Sequence, residues 1–341
     1  MRSAFGLKFD VPDGYLNTAS IGVPPTGTVE AVTSIVTKWG AGGTRPTDFD
    51  TDTGTARELF AELIGVPAER VAIGSTVSQL VGIIAADLPD GARVLVAADE
   101  FTSVSFPFAA QHDRGIVVDE VDLDAVPANA PDYDLVAVSV VQSADGRIVD
   151  LDALREAVRD RPARVLFDVT QAAGWLPLEL DWADYVVGTG YKWLLAPRGA
   201  AWLAVHPDAP RARPNHANWY AGSGINDIYG LPLRLAEGTR ALDLSPVWLA
   251  QVGAAASLRE LVALDLAEVR EHCAGLADRV REELGVAPNG SAIVAVPGSD
   301  AVRKLTDAGV VCAARAGKAR LSFHLYNTAA DVDLVLRALR G

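Results

Sequence analysis

The sequence predicts an α/β fold, a large unit built on a mostly parallel sheet followed by a smaller α+β unit. Two patterns carry this expectation. Seven short runs are almost continuously Val, Ile, Leu and Ala, as in strands buried on both faces. Between several of them lie stretches with apolar residues at helical spacing, the alternation that crossover connections of a parallel sheet produce. Half of the 341 residues are hydrophobic, which is enough for a sizeable core.

The elements run in order along the chain. Val71-Ala72-Ile73 reads as a strand. Val77 to Leu88 then reads as a helix, with Leu80, Ile83, Ile84 and Leu88 on one stripe. Arg93 to Ala97 is a strand, Val104 to Gln111 a helix, Gly115 to Val118 a strand and Leu135 to Val141 another. Leu151 to Arg159 is helical, and Arg164 to Asp168, Tyr185 to Val187 and Ala200 to Val205 complete the seven strands. Pro207 to Leu235 is rich in Pro, Gly, Asn and aromatics and reads as a long loop. Ser245-Pro246 looks like an N-cap followed by Pro at the first helical position, opening a helix to Leu264. A second helix runs from Val269 to Leu284. The remainder reads as strand 293–296, helix 302–308, strands 310–313 and 320–323, and a last helix 329–339. At ~100–200 residues per domain the length suits two units. These are a large one over 15–240 and a small one over 241–341 that takes in the N-terminal segment 1–14.

Composition excludes several classes. Lys and Arg number 30 against 44 Asp and Glu, a net charge of −14 with a pI near 4.8, which argues against nucleic-acid or anionic-membrane partners. No run approaches the ~18 apolar residues of a membrane span, and no apolar leader opens the chain. A soluble, cytoplasmic protein is expected. Cys273 and Cys312 make neither a disulfide framework nor a zinc cluster, and no metal site is expected.

In such a fold, ligands gather beyond the carboxyl ends of the strands. Gly74-Ser75-Thr76 ends a strand and opens a helix, which is either an ordinary cap or a phosphate cradle. Asp168 ends a very apolar strand, either capping the next helix or pairing with a protonated heteroaromatic nitrogen. Lys192 lies among Tyr191, Trp193, Leu194 and Leu195; it either snorkels or is a desolvated amine suited to a Schiff base. The chain has only five lysines, and Lys192 alone has such a setting. Cradle, buried Asp and desolvated Lys are together the parts that pyridoxal 5′-phosphate needs.

Four motifs make the resemblance specific. They are Tyr15-Leu16-Asn17-Thr18-Ala19-Ser20, Asp168-Val169-Thr170-Gln171-Ala172-Ala173-Gly174, the stretch Thr189 to Gly199 with Lys192, Pro197 and Gly199, and Arg320 to Thr328 with Ser322, Tyr326 and Asn327. Nearly end to end the chain resembles the class V aminotransferase family of fold-type I pyridoxal-phosphate enzymes. That family includes cysteine desulfurases, selenocysteine lyases, isopenicillin N epimerases and kynureninases. The resemblance implies the fold-type I architecture. It makes Lys192 the Schiff-base lysine, Asp168 the partner of the pyridine nitrogen and Gln171 a donor to the ring's phenolic oxygen. Ser75, Thr76 and Thr189 would hold the phosphate, and Phe101 would stack on the ring. Arg320 would bind the substrate carboxylate, with Asn17 on the substrate side. Glu237-Gly238-Thr239 resembles a turn whose Thr reaches the neighbouring subunit's phosphate, which implies a homodimer with shared active sites.

The departures bear on the reaction. Phe101 stands where desulfurases place a stacking His. A Phe stacks but cannot relay protons. Arg320 comes almost directly after Arg315-Ala316-Gly317, with no room for the desulfurase Cys loop, and both cysteines read as core residues. Gln142-Ser143 replaces a common Ser-Asn, leaving Ser143 part of that role beside the ring. The expected function is therefore pyridoxal-phosphate chemistry at the Cα of an amino acid or amino-acid conjugate, as an aminotransferase or a β-lyase cleaving C–S. Epimerisation of the isopenicillin N epimerase type is the alternative, and a non-catalytic module is set against the intact Lys192, Asp168 and Arg320. A persulfide-forming desulfurase is disfavoured.

Overall fold

The computed structural model describes residues 1–224 and 228–340; residues 225–227, inside the predicted loop 207–235, and residue 341 lie outside the described residues. The chain opens with a hairpin of β1 (Arg2–Ala4) and β2 (Leu7–Phe9). Helices α1 (Thr26–Gly40) and α2 (Asp50–Leu63) come next. The large sheet is then laid down as β3 (Val71–Gly74), α3 (Val77–Asp87), β4 (Arg93–Ala97), α4 (Thr102–Ala109) and β5 (Val117–Val121). The short helix α5 (Val126–Asn129), β6 (Leu135–Ser139), α6 (Leu151–Val158), β7 (Arg164–Asp168), β8 (Tyr185–Thr189) and β9 (Ala201–Val205) complete it. The strand order is β3-β9-β8-β7-β6-β4-β5, with only β9 antiparallel to its two neighbours. This is the mostly parallel seven-stranded sheet of the prediction.

Both faces of the sheet are covered. Val94, Val96, Leu166, Val187 and Leu203 face one layer, where they meet Leu80, Ile83 and Ile84 of α3 and Phe108 of α4. Leu95, Val138, Val165, Phe167 and Trp202 face the other, against Phe60 of α2 and Leu154 of α6. Helix α7 (Trp248–Val262) lies in that second layer, with Ala254, Ala255 and Leu258 packed inward. It begins just after the predicted boundary at 240, yet packs on α1 and α2 of the large unit. Central strands with no exposed face explain why their sequence lacks polar alternation.

The small unit comprises α8 (Leu266–Glu283), β10 (Ile293–Val296), α9 (Ala301–Asp307), β11 (Ala313–Arg315), β12 (Lys318–Ser322) and α10 (Ala329–Arg340). Its antiparallel sheet runs β10-β12-β11. Leu276, Val280, Val294, Leu321, Phe323, Val332 and Val335 form its core. The N-terminal segment ties the two units together. Arg2 donates to both carboxylate oxygens of Asp331, at 2.6 and 2.9 Å. The Leu16 N–H donates to Val311 O, Ser322 N–H to Leu16 O, and Gly22 N–H to Tyr191 O. Gly22 has no room for a side chain, since a Cβ there would lie 2.0 Å from Lys192 O.

Several predicted boundaries move. Ser245 is not a cap: α7 starts at Trp248 with Val247 before it, and Ser245 Oγ accepts from Trp219 Nε1 at 3.1 Å. The strand predicted at 310–313 shifts to β11, because Val311 instead bridges Tyr15 in the N-terminal segment. The strand predicted at 115–118 lies at β5, a partly exposed edge strand whose polar residues dilute the apolar signal. Helices α1 and α2 stand where no element was predicted.

Candidate active site

The carboxyl ends of β3, β8, β7, β6 and β4 meet at one edge of the large sheet, where a cavity of about 90 Å³ opens. Each strand delivers one part. Ser75 and Thr76 come after β3, and Thr76 Oγ1 caps α3 by accepting from Gln79 N–H at 3.3 Å. Thr189 ends β8, and Lys192 sits just beyond it in a tight loop whose Leu195 has φ of 54°. Asp168 ends β7, Ser143 lies past β6, and Phe101 lies past β4 as the residue preceding α4. Eight of the predicted residues, Ser75, Thr76, Phe101, Ser143, Asp168, Gln171, Thr189 and Lys192, therefore line this one cavity.

Burial sets the electrostatics. Asp168 is 4 % exposed, and its Oδ1 accepts from Thr170 N–H at 2.8 Å. Burial raises its pKa to about 6, against the downward pull of Thr170 and of the Lys192 charge. Lys192 is 5 % exposed, with Nζ 5.1 Å from the Phe101 ring centroid and 5.6 Å from that of Tyr191. Burial lowers its pKa to about 8; Asp168 opposes this, and the charges of Arg320, Arg315 and Arg198 add to it. Arg320, on β12, is 2 % exposed and donates to Ser143 O, Ser143 Oγ and Ser20 Oγ at 2.7, 2.9 and 2.7 Å. No carboxylate pairs with it among the described residues, and burial lowers its pKa to about 10. A buried guanidinium satisfied by neutral groups alone suits an incoming anion.

Three expectations meet a different arrangement. Gln171 lines the cavity, but its amide protons go to Ala19 O and Ser143 Oγ at 3.0 and 3.1 Å, while its Oε1 accepts from Trp193 Nε1 at 2.7 Å. The donor assigned to the ring's phenolic oxygen is thus already engaged. Asn17 lies outside the lining; it bridges Ser322, and its buried Oδ1 has no hydrogen-bond partner. Thr239 lies apart, in an open groove of about 1200 Å³ beside Trp219, Tyr220 and Arg240. A single chain does not bring it to Lys192.

Glu100 was not singled out from the sequence, yet it supports the site from behind. Its carboxylate accepts from Phe101 N–H, Ser139 N–H, Ser139 Oγ and Gln142 Nε2 at 2.6–2.9 Å. It so fastens the Phe101 turn to the end of β6. The signal was available: Glu100 is a polar residue just past a strand's carboxyl end. Ser103, Tyr191 and Arg198 also line the cavity without having been assigned a role.

The donor set fits a phosphorylated heteroaromatic aldehyde. It offers an unpaired buried amine, a buried carboxylate and, beside them, a helix N-terminus with hydroxyls. A family model for class-V aminotransferases matches residues 29–301. The chain belongs to the class-V aminotransferase family. It is a pyridoxal-phosphate enzyme of that family, and its cofactor is pyridoxal 5′-phosphate. Isopenicillin N epimerase of Amycolatopsis lactamdurans is 30% identical over 340 residues, covering 84% of each chain. The uncharacterized aminotransferase YcbU of Bacillus subtilis is 28% identical, covering 80% of this chain and 79% of its own. Among solved structures, the cystine C-S lyase C-DES superposes with a TM-score of 0.86 at 21% identity, over 96% of this chain and 97% of the other. That likeness shows the fold. Among the described residues, no helix is long and apolar enough to cross a membrane, and no cluster of side chains suits a metal.

Proposed function

We propose that this enzyme removes the Cα proton of an amino acid or amino-acid conjugate and then transfers the amino group or expels a β-substituent. One observation carries the reading: Lys192 and Asp168 line one cavity, and Arg320, which has no carboxylate partner among the described residues, stands directly behind its Ser143 wall. When bound, the cofactor supplies an electron sink for the pair left at Cα. Asp168 would hold a proton on the ring nitrogen, and Ser75, Thr76 and Thr189 would hold the phosphate. Arg320 would bind the substrate carboxylate through its two-pronged guanidinium. Lys192 would take the Cα proton; its pKa of about 8 leaves a useful fraction as free amine near neutrality. Phe101 would cover the ring face and exclude water.

The cysteines support placing the chain away from desulfurases. Cys273 is buried in α8, and burial raises the pKa of both thiols. Neither lines the cavity. Epimerisation is the second reading, favoured by the likeness to isopenicillin N epimerase. In a two-base version the second group would be the Tyr191 phenol, since the lining holds no second amine, imidazole or thiol among the described residues.

The test uses the holoenzyme with a panel of amino acids and cysteine S-conjugates, without keto acid and in deuterated water. Multiple turnovers of pyruvate and ammonia would mark a β-lyase. A single turnover reversed only by a keto acid would mark an aminotransferase. Loss of optical rotation without either product would mark an epimerase. Absence of Cα-hydrogen exchange, keto-acid formation and epimerisation alike with every substrate, or persistence of any of them in Lys192→Ala, would overturn the proposal.

A further inference from the structure

Besides Lys192, one cation lines the cavity, and the roles given above do not use it. Arg198 lies just past the Lys192 loop, its guanidinium carbon 5.3 Å from the Tyr191 ring centroid. It is exposed, and among the described residues no carboxylate pairs with it. A guanidinium over an aromatic face at an exposed site is modestly biased toward that position.

The strand register says which end of the cavity it occupies. Gly74 of β3 and Thr189 of β8 both stand opposite Ala201 of β9. Arg198, three residues before Ala201, therefore enters between the first turn of α3 and the end of β8. Ser75 and Thr76 lead into that turn and Ser78 lies in it; Ser75 N–H donates to Gln79 Oε1 and Gln79 N–H to Thr76 Oγ1, which leaves the Val77 and Ser78 N–H groups at the helix start. Arg320 stands at the other end, behind Ser143 after β6, and β6 is four places from β3 in the sheet. The two arginines so bracket the cavity, one at each end.

We infer that Arg198 supplies the positive charge that pairs with the phosphate dianion of the bound cofactor, and that Tyr191 holds it there by stacking. A helix N-terminus offers only about half a charge and the hydroxyls none, so a guanidinium beside them adds the full positive charge that a dianion favours. The guanidinium fork matches two phosphate oxygens at once. The pairing also bears on Lys192, since Arg198 is among the charges that add to burial in lowering its pKa. The inference rests on the cofactor site and not on the reaction carried out there.

The test compares two aldehydes that differ only in the phosphate, pyridoxal 5′-phosphate and pyridoxal. Cofactor-free protein is titrated with each, using tryptophan quenching, for wild type, Arg198→Gln and Arg198→Lys. The phosphorus resonance of the bound cofactor gives a second readout. Arg198→Gln should weaken pyridoxal 5′-phosphate by roughly ten- to a hundredfold and shift the phosphorus resonance, while pyridoxal binding stays within about twofold. Arg198→Lys should recover part of the loss. In wild type, salt should weaken the phosphorylated aldehyde more steeply than the other. Equal losses for both aldehydes, or none for the phosphorylated one, would overturn the inference alone. Failure of wild type to bind either would overturn the cofactor site together with it.

Discussion

Replacing Lys192 with Met should make the cofactor-free protein more stable, although it removes the residue on which the proposed chemistry depends. Lys192 is buried with no anion in direct contact among the described residues, and its pKa falls from 10.5 to about 8. A depressed lysine pKa means that the unfolded chain binds the proton more tightly than the folded one. The penalty is therefore fully present below about pH 8, fades as the pH rises, and is gone above the unfolded value. At ~1.36 kcal/mol per unit, it amounts to about 3 kcal/mol near pH 7 and about 1.4 kcal/mol near pH 9.5. The change has an opposing part, because Asp168 loses the positive charge that lowers its own pKa. A net gain of about 2–3 kcal/mol near pH 7 remains, and Met keeps an apolar stem against Phe101 and Tyr191. Equilibrium urea denaturation of both cofactor-free proteins, monitored by tryptophan fluorescence at the two pH values, measures it. If the Met variant is no more stable near pH 7, or gains the same amount at both pH values, the assignment of Lys192 as a strained buried amine is wrong.

Arg320→Lys keeps the charge and loses the fork, so KM for the amino acid should rise roughly ten- to a hundredfold with a smaller change in kcat; steady-state kinetics at saturating cofactor checks this. Asp243→Ala should cost about 3–5 kcal/mol of stability in urea denaturation, because it strands a buried charge. The Asp243 carboxylate, fully buried, accepts from Arg57 Nη2 at 2.8 Å, Ile73 N–H at 2.9 Å and Arg240 Nε at 3.3 Å. Cys312→Ser should leave turnover within about twofold, since its raised pKa removes the thiolate that sulfur transfer would need. A large loss of activity there would reopen sulfur chemistry.

The sheet was legible in the sequence because its central strands are buried on both faces, so that runs such as Val165-Leu166-Phe167 leave no alternative. The lining was legible for a related reason: Ser75, Asp168 and Lys192 are polar residues stationed just past such runs. Helices α1 and α2 were not. Helix α1 exposes Val29, Val36 and Trp39, so its apolar residues mark no single inward stripe, and α2 opens with Asp50-Thr51-Asp52-Thr53-Gly54, a poor helix-forming stretch. Their stability comes from α7, an element some 200 residues later in the sequence. The engagement of Gln171 with Ala19, Ser143 and Trp193 likewise depends on three segments that no local pattern links. The Asp168 motif identified the residue without revealing its neighbours.

The threading of the N-terminal segment has a consequence for the order in which the molecule can form. Ser322 Oγ donates to Leu16 O across 306 residues of sequence, the Ala19 N–H meets Ser322 Oγ across 303, and Arg2 reaches Asp331 across 329. Contacts of such separation carry the greatest loop-closure cost and close late. During synthesis, Ala19 O and Gly22 N–H can meet Gln171 and Tyr191 once β8 and the loop after it are made, but the contacts of Leu16 O, Ala19 N–H and Ser20 Oγ wait for β12. The sheet can assemble from its own neighbouring strands meanwhile, whereas the wall of the pocket formed by Ser20, Arg320 and Ser143 cannot. A nascent or truncated chain would thus hold Lys192 in a half-open cleft, and only the finished protein would draw the water out of it.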